Sequence, residues 1–129
     1  MTVQKGGWDY FAEEGNHVVF VPSTYSADLT MDGTAQSGAL ADGARKVQFC
    51  NLGATTEAIR VVFGTSASDA ESNLNIAAAA ATTGYYIPSS ADAGSQSVVV
   101  LGVPGSATHY AVANAVASDT QTVTVNQGV

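Results

Sequence analysis

The sequence predicts an all-β fold, an antiparallel β-sandwich, and three observations carry that expectation. Apolar and polar residues alternate with a period of two in several short segments, such as Val47-Gln48-Phe49 and Val123-Thr124-Val125. Gly, Pro, Asn and Asp interrupt those segments at short intervals. Almost no helix is expected, beyond one short turn in the stretch at residues 65–73. Strict alternation marks strands with one dry face and one wet face, the habit of antiparallel sheets.

Residues 1–16 are set apart as an extended N-terminal arm, and residues 17–129 as a single domain. The arm sequence "VQKGGWDYFAEEG" mixes glycines with Trp8, Tyr10 and Phe11 and has little periodicity. Such a stretch is expected to be ordered by docking, on its own domain or on a neighbour. "HVVFVP" at 17–22 reads as a short strand ended by Pro22. "TYSADLTMDGTAQSGALADGA" at 24–44 reads as loop, with turns at Asp32-Gly33 and Asp42-Gly43.

From Arg45 the pattern is regular. "RKVQFCN" places Val47 and Phe49 on one face, and "EAIRVVFG" does the same for Ile59, Val61 and Phe63. The two segments flank the Gly-containing "NLGATT" and are expected to form a hairpin. In "TSASDAESN" the Ser66–Asp69 and Ser68–Glu71 spacings resemble capping boxes and predict one short helical turn. Leu74–Ala78 is expected as a strand, with the remaining alanines as connection. "GYYIP" is a strand stopped by Pro88, and "SVVVLGVP" a strand buried on both faces. "GSATHYAVANAV" and "TQTVTVNQ" are the last two strands, with Asp119 in a hairpin turn between them. About eight strands and almost no helix fit a jelly-roll-like sandwich. Its expected core is Val47, Phe49, Ile59, Val61, Phe63, Tyr110, Val112, Val116, Val123 and Val125.

Composition narrows the function classes. A chain of 129 residues suffices for one core. Charged residues make up only 12% of it, so its polar surface comes from Ser, Thr, Asn, Gln and Gly. The net charge is −7, and the only cations are Lys5, Arg45, Lys46 and Arg60. Nucleic-acid binding and anionic membrane surfaces both draw affinity from clustered Lys and Arg, so neither partner is expected. Cys50 is the single cysteine, which excludes an intrachain disulfide and a cysteine-based zinc site. No apolar run of signal-peptide length opens the chain, and "IAAAAA" at 76–81 is too short to span a bilayer. A soluble protein made in the cytoplasm is expected.

Candidate chemistry is sparse. His17 and His109 are the only histidines, and a metal site would need both to meet a carboxylate. Cys50 would need a base, and Lys46 stands four residues back on the same strand face, about 13 Å away at a rise near 3.3 Å per residue. Asp28, Asp32 and Asp42 share one loop but lack the calcium-loop spacing, and turn chemistry accounts for Asp-Gly. Glu13-Glu14 and Asp69/Glu71 offer paired carboxylates, with nothing to bring the pairs together. Neither a phosphate-binding Gly loop nor a Gly-x-Ser-x-Gly elbow is present. The expectation is therefore a protein that is not an enzyme and that takes no cofactor and no metal. The smooth face of Ala111, Ala113 and Ala115 permits close approach of another surface. That surface is either another part of the same chain or a second subunit. Tyr85-Tyr86 is the only aromatic pair away from the arm.

One resemblance adds to this reading. "VQFCNLGATTEAIRVVFGTSASDA", "YYIP", "HYAVANAV" and "QTVTVNQG" follow one another over about two thirds of the chain. That succession resembles small virion proteins of tailed bacteriophages. The resemblance implies a capsid decoration, or cement, protein: jelly-roll-like, often trimeric, seated on the outer face of the major capsid protein lattice, with no catalytic residues. It implies a location on the virion capsid surface. The arm lies outside the resembling region, and its Trp8, Tyr10 and Phe11 are candidate docking anchors, since large aromatics supply most interface hot spots. A carbohydrate- or receptor-binding sandwich of a fibre or tail is the alternative, with Tyr85-Tyr86 as its platform.

Overall fold

The computed structural model describes residues 25–51, 58–89, 97–116 and 121–128. The arm and the strand expected at 17–22 lie outside the described residues, as do Asp119 and its turn. Among the described residues, ten strands and one helix follow in order. They are β1 (Ala27–Met31), β2 (Gln36–Ala39), β3 (Lys46–Cys50), β4 (Ile59–Gly64), α1 (Ala67–Ser72), β5 (Ile76–Ala77), β6 (Ala80–Ala81), β7 (Tyr85–Ile87), β8 (Val98–Gly102), β9 (His109–Asn114) and β10 (Gln121–Gly128).

Eight of these strands build two four-stranded antiparallel sheets. Sheet I has the order β1-β10-β3-β8, and sheet II the order β2-β9-β4-β7. Successive strands change sheet at nearly every connection. The exception is β4 to β7, which pair with each other within sheet II. The segment between them carries α1 and the small β5–β6 hairpin.

The two sheets pack through one core. Met31, Val47, Phe49, Val123 and Val125 come from sheet I, and Ile59, Val61, Ile87, Tyr110 and Val112 from sheet II; all are buried. Phe49 is central. Its ring meets Phe63 edge-on at 6.5 Å and Tyr110 at 5.9 Å, both across the gap between the sheets. Nine of the ten core residues expected from alternation lie in this cluster or, like Phe63, half-buried against it. Val116 does not: it follows the end of β9 and is 47% exposed.

Several expectations are corrected. Residues 24–44 are not a loop throughout, because β1 and β2 lie within them. The expected turns hold, with Gly33 and Gly43 at positive φ. Segments 46–50 and 59–64 do not form a hairpin, nor do the last two strands. In each case the partners lie in opposite sheets. Alternation shows that each strand has one apolar face, and two such strands can either pair side by side or face each other across a core. Here they face each other. Strand β8 is not buried on both faces: it is the edge of sheet I, with Val100 44% exposed. Leu74 is not in a strand. The alanine run is a tight hairpin instead, with Ala78 and Ala79 at φ 52° and 64°.

Candidate interaction surfaces

The two sheets present different outer faces. On sheet II the outward residues of the central strands include Ala111, Ala113, Val62 and Gly64, and α1 lies on them. Ser66 caps that helix, accepting a hydrogen bond from the Asp69 backbone N–H at 3.1 Å. The Asp69 carboxylate returns to accept from the Thr65 N–H at 2.8 Å. Of the two expected Ser–acid pairings, the first therefore sets the helix start. Ala70, Leu74 and Ala81 then close over Ala111 and Ala113 as a second, smaller core. Gly64 allows the close approach, since a Cβ there would stand 2.5 Å from the Ala70 backbone nitrogen. Ser37 adds a tie by donating to Glu71 Oε2 at 2.5 Å.

The surface against the alanine face is thus the chain's own helix and hairpin. Ala111 and Ala113 are fully buried, and Ala115 is half-buried with its N–H donated to the Ala58 carbonyl. Ala111 and Ala113, expected as interface residues, have no exposed area to offer a second subunit.

The outer face of sheet I is a ladder of hydroxyls and amides. Thr122 stands opposite Thr30, Thr124 lies between Asp28 and Cys50, and Asn126 is opposite Gln48. Thr124 Oγ1 donates to Asp28 Oδ1 at 2.7 Å, and Asn126 Nδ2 to Gln48 Oε1 at 3.1 Å. No helix or strand of the described residues lies on this face.

Buried amides lace the sheets together at both ends of the inner row of β10. Gln127 is buried and fully used. Its Oε1 accepts from the Ala41 N–H at 2.8 Å, while Nε2 donates to the carbonyls of Ala39 at 2.9 Å and Tyr25 at 3.1 Å. At the other end Gln121 Nε2 donates to Asn114 Oδ1 at 2.5 Å. These residues were not singled out from the sequence, although a signal exists. In "QTVTVNQ" the period of two puts Gln121 and Gln127 in the same row as Val123 and Val125.

The residues weighed for chemistry stay apart. His109 is half-buried at the start of β9, with Nδ1 2.9 Å from Thr108 Oγ1, and His17 lies outside the described residues. Asp28 serves Thr124, and Asp32 accepts from the Thr34 hydroxyl at 2.7 Å. That hydroxyl, and then the Thr34 N–H, hold the Asp32 carboxyl below its ordinary pKa. Asp42 sits in the turn closed by Ala44 N–H to Ala41 O at 3.0 Å. No group of three metal-ligating side chains exists among the described residues. Burial pushes the Cys50 thiol above its ordinary pKa, which disfavours the nucleophilic thiolate. Asp69 and Glu71 bond to different partners, and Glu13-Glu14 lie outside the described residues.

Two exposed features remain. Tyr85 and Tyr86, on the outermost strand of sheet II among the described residues, are 52% and 49% exposed. Arg60 lies 5.1 Å over the Tyr86 ring while donating to the Gly84 carbonyl at 2.8 Å, so the ring is held by a cation–π contact. An open depression of about 410 Å3 lies between residues 40–45 and 103–108, with Asp42 and Arg45 as its charged residues. Trp8, Tyr10 and Phe11 lie outside the described residues. No helix among the described residues is long and apolar enough to cross a membrane. No family model matches the chain, and neither a curated protein nor a solved structure matches it.

Proposed function

We propose that this chain is a structural protein of a bacteriophage virion, a capsid decoration (cement) protein that binds the major capsid protein as a homotrimer. The observation that carries the reading is the strand order. Counting the eight strands of the two four-stranded sheets in chain order, the sheets run 1-8-3-6 and 2-7-4-5. That order supports a jelly roll, an architecture used by viral capsid and lectin domains. The resemblance of residues 47–129 to small tailed-phage virion proteins points the same way. An ion-poor surface suits dense packing, because repulsion between many like copies stays small. On this reading the protein acts at the outer capsid surface after synthesis in the host cytoplasm. It performs no catalytic step and takes no cofactor. Trp8, Tyr10 and Phe11 are the docking anchors, and neither nucleic acid nor membrane is a partner.

The test is mass spectrometry of purified virions joined to light scattering of the isolated protein. The expected result is the chain in intact particles at many copies, and a trimer in solution. A monomer missing from purified particles overturns the reading.

The exposure of Tyr85 and Tyr86 favours a second reading, a carbohydrate- or receptor-binding module of a fibre or tail. Lectins share the architecture, and exposed aromatic faces stack on sugar rings. Glycan-array binding that is lost in Tyr86→Ala supports it. A silent array removes it.

A further inference from the structure

Tyr85 and Tyr86 are neighbours in sequence but do not share a surface. Tyr85 pairs with Val61, in the row that faces the core, whereas Tyr86 pairs with Arg60, in the row that faces away from it. Successive strand residues point to opposite faces, so the two rings do not form one platform. Tyr86 has another companion. The Arg60 guanidinium carbon lies 5.1 Å from the centroid of its ring. On the other side Arg60 pairs with Ala113, which packs with Leu74 and Ala81 in the smaller core. Arg60 and Tyr86 thus form a ledge at the margin of the layer that covers sheet II.

Three features fit this ledge to a ligand. Its parts are preset. Gly84 has φ 111°, and a Cβ there would stand 2.9 Å from the Val61 carbonyl oxygen and from Val62 Cγ1. This close approach lets the Gly84 carbonyl accept from Arg60 Nη1 at 2.8 Å. Groups already held in place lose little freedom on binding. The ledge also carries charge to spare. Among the described residues, the one hydrogen bond of the Arg60 side chain goes to that neutral carbonyl. A guanidinium is a fork of several N–H donors whose geometry matches a carboxylate. Finally, Tyr86 keeps 49% of its surface exposed beside that cation. A sugar ring bearing a carboxylate uses both groups: its C–H face stacks on the tyrosine, and its carboxylate meets Arg60. An acidic peptide side chain would engage Arg60 alone. The net charge of −7 opposes a polyanion, so the match is a single carboxylate on an otherwise neutral glycan end.

We infer that Arg60 and Tyr86 form a binding site for the acidic terminal sugar of a glycan, of the hexuronic acid class. The inference rests on the carbohydrate-binding reading above and narrows it. Arg60 selects the acidic class, and Tyr86 supplies the stacking surface.

The experiment probes the full chain with glycans of matched ends, glucuronate against glucose and galacturonate against galactose. The acidic member of each pair is expected to bind about tenfold more tightly, as a hydrogen bond to a charged group requires. High salt should shrink that preference. Arg60→Gln should abolish the preference while weak binding to both members persists, and Tyr86→Ala should abolish binding to both. Circular dichroism checks that each variant keeps its sheets. If the variants fail to fold, the wild-type preference and its salt dependence still decide. Equal binding of acidic and neutral ends overturns the inference and leaves the carbohydrate-binding reading standing. Silence towards every glycan overturns both. Binding unchanged in folded Arg60→Gln or folded Tyr86→Ala overturns the ledge as the site. A tetraglutamate peptide that binds as tightly as the glucuronate end overturns the inference in favour of an acidic peptide.

Discussion

Sheet I and sheet II are written with the same period of two but differ in what lies outside them. Outside sheet II the second row places Ala111, Ala113, Val62 and Gly64 between Arg60 and His109, and a helix and a hairpin cover the small residues. Outside sheet I the second row is mainly polar along β10, where Thr124 and Asn126 bond to Asp28 and Gln48 on the neighbouring strands, and it runs out to Val98 and Val100 on the edge strand. The difference teaches that alternation locates the core, whereas the chemistry of the remaining row tells whether a second layer follows. Small apolar residues there mean close cover, because a helix can approach a sheet only where side chains are short.

The strongest way to break this comparison is to place a charge in each outer row. Ala113→Glu buries a carboxylate under α1 and should cost about 3 kcal/mol or more in urea unfolding, as buried unpaired charges do. Near wild-type stability would mean that the helix layer does not hold that face. Next comes the seam between the sheets. Gln127→Leu removes the partners of the Ala41 N–H and of the Tyr25 and Ala39 carbonyls. A loss of about 2–3 kcal/mol is expected from stranded buried groups, read from the urea midpoint at constant slope.

Smaller effects sharpen the account of the covering layer. Ser66→Ala removes the helix cap and should cost about 1 kcal/mol, with amide exchange quickening first in residues 67–72. The paired change Ala78→Asn, Ala79→Gly supplies residues that tolerate left-handed backbone where two alanines now adopt it. It should raise stability by about 0.5–1 kcal/mol, seen as a higher melting temperature, and a lower one would refute the turn geometry. Thr122→Glu on sheet I is the counterpart of the first variant. It should change stability by no more than about 0.5 kcal/mol, since Thr122 is exposed.

Much of the fold was legible because burial repeats every second residue. Val47, Phe49, Ile59, Val61, Tyr110, Val112, Val123 and Val125 are inward for that reason alone. The helix was legible through Ser66 and Asp69, a local bond between neighbours in sequence. Strand β1 was hidden because Asp28, Thr30 and the Asp32-Gly33 turn are equally at home in a loop. The extent of Val116 was misjudged because periodicity carries no mark of where a strand stops. The alanine row was visible, but its cover was not, since Leu74 and Ala81 reach it only after the chain has folded back.

By itself the sequence determined the all-β class, the inward row of each strand, the turns at Asp32-Gly33 and Asp42-Gly43, and the helix start at Ser66. These depend on contacts within a few residues, where side-chain period and capping act directly. Only the tertiary structure decided which strands pair. It placed neighbours such as 46–50 and 59–64 in opposite sheets, laid α1 over Ala111 and Ala113, and set Gln127 between the sheets. The physical reason is that an apolar strand face is satisfied equally by any apolar partner. The choice among partners comes from the joint packing of all the strands, and no single segment contains it.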